Sequence, residues 1–269
     1  MSLLTVENMS ISLASSGNNL VEGINFSIEK GDRLGIIGES GSGKSITALA
    51  LLGLLPGSMT VTGEVILAGV NVTTSSQREL VKIRGSKAAI VFQEPLSALD
   101  PLMRVGRQIA GPLKLHQKLV GEAARQEVFA LLERVQLPEP ERITASFPHE
   151  LSGGQRQRIA IAMALACKPE ILIADEPTTA LDVTVQGEVL SLLDKLVKEE
   201  GMSLIFITHD LPVISRVVNR LMVMQNGHVV EDGSTANIVA SPKHEYTKKL
   251  IEAARIVTAV PYINERIEP

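Results

Sequence analysis

The apolar residues of this chain form four nearly continuous runs, which predict one kind of strand. The runs occupy residues 34–37, 88–92, 171–174 and 203–207. Strands that helices cover on both faces have this composition, because neither side of the sheet meets water. The runs therefore predict an α/β protein built on an open, parallel sheet.

A second pattern, in which apolar and polar residues alternate, predicts a different sheet near the start of the chain. Segments 3–9 and 23–28 alternate as half-buried strands do, and turn-forming residues occupy 15–19 between them. Residues 63–69 add a further strand that ends in a turn. We expect these segments to form a small antiparallel sheet that leans on the core.

Segment 102–136 has a helical pattern instead. Its apolar residues recur at helical spacing and fall on one face, while charged residues cover the other. A stripe of this kind is usually only the core-facing side of a surface helix, so we assign it no chemistry. Because the segment lies between two strands of one sheet, it predicts an inserted helical lobe. The stripe consists of Ala124, Val128, Leu131, Leu132 and Val135.

The strongest motif follows the first apolar run and precedes a predicted helix at 46–55. It fits G-x-x-x-x-G-K-[ST], in which glycines turn N–H groups inward, the lysine reaches the β and γ phosphates and the hydroxyl holds Mg²⁺. The alternative is a glycine-rich turn that joins strand to helix by accident. The flanking strand and helix favour nucleotide binding. The candidate residues are Gly38, Glu39, Ser40, Gly41, Ser42, Gly43, Lys44 and Ser45.

A second glycine-rich helix start occurs at 151–155, which reads L-S-G-G-Q. Ser152 and Gln155 have the spacing of a capping box, so Ser152 is the predicted N-cap. The simplest interpretation is a capped helix and nothing more. A second anion site within one molecule would be redundant beside a complete phosphate loop. It makes sense if this helix start closes over the γ phosphate held by another copy.

Three polar residues follow the last two apolar runs. Asp175 and Glu176 end one predicted strand, and His209 comes after the next. Ligands of open parallel sheets lie at the carboxyl ends of the strands, so all three are expected beside the phosphate loop. Asp175 would orient the Mg²⁺ shell, Glu176 would polarise the attacking water, and His209 would contact the γ phosphate or hold Glu176 in line.

Composition excludes several classes of protein. The net charge of −4, with no run of more than two Lys or Arg, disfavours nucleic acid as the direct ligand. A single cysteine, Cys167, excludes an internal disulfide and fits a reducing compartment; its apolar surroundings predict a buried structural thiol. The longest apolar run, 159–167, is too short to span a bilayer, and residues 1–5 do not resemble a secretion signal. We therefore expect a cytoplasmic protein that meets the membrane through a partner.

Taken together, these motifs resemble ATP-binding cassette (ABC) ATPases in their order and spacing. The resemblance implies a RecA-like P-loop core with an antiparallel β subdomain and an inserted helical subdomain at about 96–165. It covers an ATPase domain at 1–252 and leaves a tail at 253–269. The carrying motifs are the loop at 38–45, Gln93 after a strand, the pentapeptide 151–155, the strand end at 171–176, Leu181-Asp182 and His209.

The resemblance also implies the partners and cofactors. ATP and Mg²⁺ would lie in a head-to-tail dimer, in which a second cassette, identical or related, completes each site with Ser152, Gly154 and Gln155. Gln93 would sense Mg²⁺ and the γ phosphate, so that the metal set is Ser45, Gln93 and Asp175. Asp182 would couple the two sites across the interface.

A finer resemblance is to the ATPase subunits of peptide and nickel importers, carried by segments 175–186, 97–101 and 241–247. It implies peripheral attachment at the cytoplasmic face of the membrane, where residues 93–104 receive a permease helix and an external solute-binding protein acts indirectly. Two other classes are the alternatives: a soluble cassette ATPase acting on nucleic acid or ribosomes, and an ATP-gated dimer without turnover. The first class usually has long coiled-coil arms, paired cassettes in one chain or basic surfaces, and this sequence shows none of these. The presence of Glu176 and His209 argues against the second class.

Two departures from the family pattern matter. Leu13 occupies the position where many cassettes have an aromatic residue that stacks on adenine, so base selectivity is open while phosphate binding is retained. No cysteine follows Cys167. The iron–sulfur element that some peptide-importer ATPases carry near their carboxyl end is therefore not expected.

Overall fold

The structure, a computed structural model, describes residues 2–178 and 181–259. The strands are β1 Leu4–Leu13, β2 Asn19–Ile28, β3 Arg33–Ile37, β4 Met59–Leu67, β5 Val70–Asn71, β6 Ala88–Val91, β7 Ile171–Asp175, β8 Ser203–Thr208, β9 Arg220–Gln225 and β10 His228–Ser234. The α-helices are α1 Lys44–Leu51, α2 Gln77–Ile83, α3 Pro95–Ala98, α4 Val105–Pro112, α5 Gly121–Arg134, α6 Pro140–Ala145, α7 Gly153–Leu165, α8 Val183–Glu200, α9 Leu211–Val217, α10 Thr235–Ala240 and α11 Glu245–Ala259.

The central sheet has the order β10-β9-β3-β8-β7-β6. Its neighbours are parallel except for the β9–β10 pair, which is antiparallel. The four predicted apolar runs are all present in it, and they differ from the predicted bounds by one residue at most. The pair β9 and β10 was not predicted. The prediction of a parallel α/β core is confirmed.

Both faces of the central sheet are buried, and alternate residues of one strand enter different cores. In β8, Leu204 and Phe206 belong to the core that also contains the helices of the inserted lobe, whereas Ile205 and Ile207 belong to the core that contains residues of β1, β2 and α1. All four side chains are fully buried. This two-sided burial explains why the strand is apolar throughout.

The second sheet is antiparallel and has the order β2-β1-β4-β5. Its first three strands were predicted, although each is longer than the pattern indicated. Leu13 ends β1 and pairs with Met59 of β4. The sheet covers one face of the core, as expected.

The inserted lobe lies between β6 and β7, but the prediction of helix from 102 to 136 was wrong in its continuity. The segment consists of α4, a π-helical turn at Leu113–Gln117 and α5. Lys118 adopts a left-handed backbone with φ 60°, and Pro112 lacks the N–H needed to continue a regular helix, so the chain turns between α4 and α5. The stripe on α5 is buried as predicted.

Other helix ends also differ from expectation. The helix predicted at 46–55 is α1, which ends at Leu51 because Gly53 turns the chain with φ +63°. The predicted boundary between domain and tail, 252/253, falls inside α11, and residues 260–269 of that tail lie outside the described part.

Cys167 follows α7 and is half-buried, whereas the sequence predicted a buried thiol. Burial raises the pKa of its thiol, consistent with a structural role. Within residues 2–178 and 181–259, no helix is long and apolar enough to cross a membrane.

Candidate active site at the carboxyl edge of the sheet

The predicted phosphate loop joins β3 to α1. A Cβ atom at Gly38 would lie 2.2 Å from the carbonyl oxygen of Met224, so only glycine fits there. Gly43 begins α1 with φ 102°, a conformation that glycine adopts without strain, and no side chain caps this helix start. The first N–H groups of α1 therefore remain available to an anion.

Lys44 spans the loop from within. The residue is 4% exposed, and its Nζ donates to the carbonyl oxygens of Gly38 and Glu39, both at 2.8 Å. Burial lowers the pKa of Lys44, and the nearby carboxylates of Glu176 and Asp175 oppose that shift. An incoming phosphate would compensate the buried ammonium charge far better than two neutral carbonyl groups.

The last residue of the loop faces the last residue of β7. The Ser45 hydroxyl donates to Oδ1 of Asp175 at 3.1 Å, and burial raises the pKa of this carboxyl. Two hard oxygen donors fit Mg²⁺, which binds few protein groups and keeps its other positions for water and phosphate. Among the described residues no cluster of three or more His, Cys, Asp or Glu could hold a metal by itself. The pair therefore suits an ion that arrives with the nucleotide.

Glu176 stands beside this pair with an unusual backbone. Its φ of 44° lies in the left-handed region, which is uncommon outside glycine and concentrates at functional sites. Its Oε1 lies 3.3 Å from Nδ1 of His209, and its Oε2 accepts from Nε2 of Gln93 at 3.2 Å. The carboxylate is thus held between two side chains that reach it from different strands.

These residues border one open cavity of about 600 Å³. Glu176 and His209 are brought together there with the phosphate loop, as predicted from the strand ends, and Gln93, expected from the resemblance, lines the same cavity. Gln93 contacts Glu176 in this arrangement, and its predicted metal contact remains a prediction. Leu13 does not line the cavity. The lining consists of Glu39, Ser40, Gly41, Gly43, Lys44, Ser45, Ile46, Gln93, Glu176 and His209.

The other predicted residues form a separate surface. Ser152 and Gln155 make the expected reciprocal bonds: the Gln155 N–H donates to Ser152 Oγ at 3.3 Å, and the Ser152 N–H donates to Gln155 Oε1 at 3.0 Å. Asp182 caps α8 by accepting from the Val185 N–H at 3.0 Å. Ser152 and Asp182 are exposed, and neither they nor Gly154 line the cavity.

The two capped helices meet closely. A Cβ atom at Gly154 would lie 2.8 Å from Cγ1 of Val185 in the first turn of α8. The glycine thus lets α7 begin directly against α8, and the N-caps of both helices, Ser152 and Asp182, are exposed. We call Ser152, Gly154, Gln155 and Asp182 the second surface.

Sequence reasoning missed one residue at the loop. The hydroxyl of Tyr246, on α11, accepts from the backbone N–H of Glu39 at 2.8 Å. The only signal in the sequence is the segment 241–247, which carries part of the family resemblance but no chemical motif.

A glycine-rich loop that joins strand to helix, a buried lysine across it and paired acids at the end of a second strand of the same sheet define a P-loop nucleoside triphosphatase. The comparisons specify the family. A family model described as "ABC transporter" matches residues 21–179. The chain belongs to the ABC transporter family and is an ATPase of it.

Named relatives narrow the similarity further. The chain is 45% identical over 253 residues to the oligopeptide transport ATP-binding protein OppD of Bacillus subtilis (strain 168), covering 93% of this chain and 71% of that protein. It is 46% identical to a probable peptide ABC transporter ATP-binding protein of Sinorhizobium fredii, covering 86% and 70%. It is 43% identical to the glutathione import ATP-binding protein GsiA of Escherichia coli, of which it covers 42%.

Solved structures share the fold. A dimeric post-hydrolysis state of the ATP-binding cassette MJ0796, bound to ADP and Pi, has a TM-score of 0.76 and 32% identity, and the match covers 86% of this chain and 98% of that one. CbiO1 of Clostridium perfringens, part of the transporter complex cbiONQ, has a TM-score of 0.75 and 28% identity, covering 96% and 99%. These matches confirm the cassette fold.

Proposed function

We propose that this chain hydrolyses Mg·ATP at the interface of two cassettes and thereby drives uptake of peptides or a related small solute through a membrane permease. One observation carries the proposal: the phosphate loop and its catalytic side chains line an open cavity, while the second surface lies outside it on the same molecule. A second cassette placed head to tail would bring its second surface onto this cavity. The dimeric MJ0796 cassette supports that arrangement.

Within the cavity, each residue has a role that its geometry suits. The N–H groups of the loop and Lys44 would bind the β and γ phosphates. Ser45 and Asp175 would hold Mg²⁺, which when bound neutralises phosphate charge. Glu176 would take the proton of the attacking water, and contacts with His209 and Gln93 would keep its carboxylate in position.

The remaining step is coupling to a permease. Residues 93–104 were expected to receive a permease helix, and the groove of the helical lobe begins at Arg104, the last residue of that segment. It has a volume of about 620 Å³ and lies among α4, α5 and α6. Four cationic side chains and no acidic residue line it, together with apolar groups. Leu102, beside the groove in sequence, is 87% exposed. This charge and shape fit an acidic, amphipathic cytoplasmic helix of a permease, which would keep the chain peripheral at the membrane. The cations are Arg104, Arg107, Lys114 and Arg125.

Copurification tests the proposal. The tagged chain is coexpressed with the polytopic membrane protein encoded beside it, and the membrane protein is expected in the eluate. Reversing two groove charges, Arg107→Glu with Lys114→Glu, should reduce its recovery about tenfold or more, since like charges at an interface cost several kcal/mol. Arg78→Glu, an equally exposed change on α2, is the control. Equal recovery of the membrane protein with the unmodified chain and with the doubly reversed variant would contradict the proposal. ATPase activity that is stimulated by nucleic acid would contradict it as well.

Uptake measurements test the solute. Vesicles that contain the reconstituted complex and its solute-binding protein should accumulate labelled oligopeptides only when ATP is enclosed on the side of this chain. Accumulation of metal ions but not peptides would place the transporter with a different solute class while leaving the ATPase assignment intact.

A further inference from the structure

The segment 241–247 contains a buried tyrosine, Tyr246, to which the proposed ATPase cycle assigns no role. It leads into α11, and its Tyr246 is 6% exposed although tyrosine commonly keeps its hydroxyl in water. The ring lies in the core that also contains the helical lobe. Its hydroxyl meets the backbone of the phosphate loop, 207 positions earlier in the chain.

The bond falls on a particular peptide group. The peptide that joins Gly38 to Glu39 offers its carbonyl oxygen to Nζ of Lys44 at 2.8 Å and its N–H to the Tyr246 hydroxyl at 2.8 Å. One rigid, planar unit is therefore held from both ends. Because Lys44 rests on this carbonyl, the orientation of the peptide sets where the ammonium group lies.

Tyr246 is itself firmly placed. Glu231 of β10 accepts from the N–H groups of Lys243 and His244 at 3.0 and 3.1 Å, which fixes the turn before α11 to the central sheet. The Tyr246 N–H donates to Nδ1 of His244 at 3.2 Å. Burial raises the pKa of Tyr246, so its hydroxyl stays protonated near neutral pH and accepts through a lone pair.

The same helix reaches the other side of the site. α11 packs against α9, whose first turn is capped by Asp210, the residue after His209. Among the described residues, the turn 241–244 and α11 thus connect the sheet edge at β10, the phosphate loop and α9, the helix that follows His209.

We infer that Tyr246 is a positioning residue for nucleotide binding, which orients the Gly38–Glu39 peptide so that Lys44 and the loop N–H groups meet the β phosphate. By this inference α11 is part of the nucleotide site and not only a terminal helix. The inference rests on nucleotide binding, and not on the permease or the solute proposed above.

Tyr246→Phe tests the inference, because it removes one hydroxyl and keeps the ring. We expect the Kd for ADP and for ATP, measured by calorimetry, to rise by the same factor of about three to ten, the range of one lost hydrogen bond. The KM for ATP should rise in parallel, while kcat at saturating ATP stays within about twofold because Glu176 and His209 are untouched.

Thr235→Val is the matched control. It also removes a buried hydroxyl that bonds a backbone group, here the Val218 carbonyl at 3.1 Å, at a site away from the loop. Comparable losses of thermal stability are expected in both variants, with the KM raised only in Tyr246→Phe. An unchanged KM in Tyr246→Phe, or an equal rise in both variants, would overturn the inference.

A spectroscopic measurement covers the case in which Tyr246→Phe folds poorly. The chain has two tyrosines, and Tyr262 lies outside the described residues. In a Tyr262→Phe protein labelled with 3-fluorotyrosine, the single fluorine resonance reports Tyr246. It should shift on addition of ADP or ATP and remain in place on addition of adenosine. An unchanged fluorine chemical shift at saturating ADP and at saturating ATP would overturn the inference.

Discussion

Two helices of this protein begin with glycine-rich segments, and their surroundings differ in every other respect. At α1 the N-cap is Gly43, which has no side chain to satisfy the free N–H groups, and Lys44 lies buried beside them. At α7 the N-cap is Ser152, whose hydroxyl and the side chain of Gln155 already satisfy part of the helix start. The first start faces carboxylates within one cavity; the second is exposed and outside it.

The difference shows what each helix start can do alone. The start of α1 combines free donors, a cation and a nearby acid pair, so we expect it to bind a triphosphate within one molecule. The start of α7 has donors and exposure, but it does not border the cavity, and the cation in its first turn, Arg156, donates to the carbonyl oxygen of Pro148. We therefore propose that it meets a ligand held by another molecule, and the following substitutions test this division.

The largest expected effect is on hydrolysis. Glu176→Gln should lower kcat by about 10²- to 10⁴-fold, the usual contribution of a positioned general base, and should leave ATP binding unchanged. Rates are measured by phosphate release. Glu170→Gln is the control, because this acid sits just before β7, the opposite end from Asp175, and pairs with Lys87 at 2.6 Å. Equal rates in Glu176→Gln and the unmodified protein would remove Glu176 from its assigned role.

Lys44→Ala should weaken ATP binding by about 100-fold, to near or below the limit of calorimetry, since loss of a buried, charge-assisted donor costs several kcal/mol. The exposed Lys82→Ala on α2 is the control. ATP affinity that survives Lys44→Ala would mean that α1 is not the helix start that holds the phosphates.

At the second surface, Ser152→Arg should have the opposite profile. ATP affinity of the isolated chain is expected to remain within about twofold, because Ser152 does not line the cavity. Hydrolysis should fall about tenfold or more, since a bulky cation would prevent closure onto the partner. ATP-dependent dimers of Ser152→Arg in the Glu176→Gln background would count against a role in trans.

The smallest effect concerns stability and its pH dependence. Because burial raises the pKa of Asp175, the native state binds a proton more readily than the unfolded chain. Stability without nucleotide should therefore rise as the pH falls through the raised pKa towards the ordinary value of 3.8. Asp175→Asn should be more stable by on the order of 1 kcal/mol at pH 8, with a difference that shrinks in acid, and should lose stabilisation by Mg·ATP.

Asp194→Asn supplies the contrast in urea titrations. Burial would raise the pKa of Asp194, but hydrogen bonds from Lys198 and Arg33 outweigh it and lower the pKa. The ionised Asp194 therefore stabilises the native state above the ordinary pKa, and this stabilisation is lost as the pH falls through the lowered pKa. Asp194→Asn should thus be less stable than the unmodified protein at pH 8. An equal pH dependence of the free energy of unfolding in Asp175→Asn and Asp194→Asn would contradict the opposite pKa shifts assigned to these two carboxyl groups.

Much of the site could be predicted from sequence because its parts are local. The phosphate loop is one contiguous octapeptide, and Asp175, Glu176 and His209 each follow a readable apolar run. Parallel strands deliver their carboxyl ends to one edge, so predicting the strands was enough to predict that these residues meet.

What could not be predicted depends on distant contacts or on backbone detail. The bond between Tyr246 and Glu39 joins positions that no local pattern relates. In the helical lobe, Pro112 is a readable breaker, but the left-handed turn at Lys118 that separates α4 from α5 is not, because lysine carries no turn signal of the kind that glycine does. The left-handed backbone of Glu176 is likewise invisible in the sequence, although its role was inferred.

The most direct test of the two-molecule site is a disulfide formed between chains. In a Cys167→Ser, Glu176→Gln background, one chain carries Ser40→Cys in the phosphate loop and a second, of different tag length, carries Ser152→Cys; both serines are exposed. Addition of Mg·ATP under oxidising conditions should produce the cross-linked pair of unequal chains. No cross-linked pair at saturating ATP, together with an internal disulfide when one chain carries both cysteines, would contradict the account.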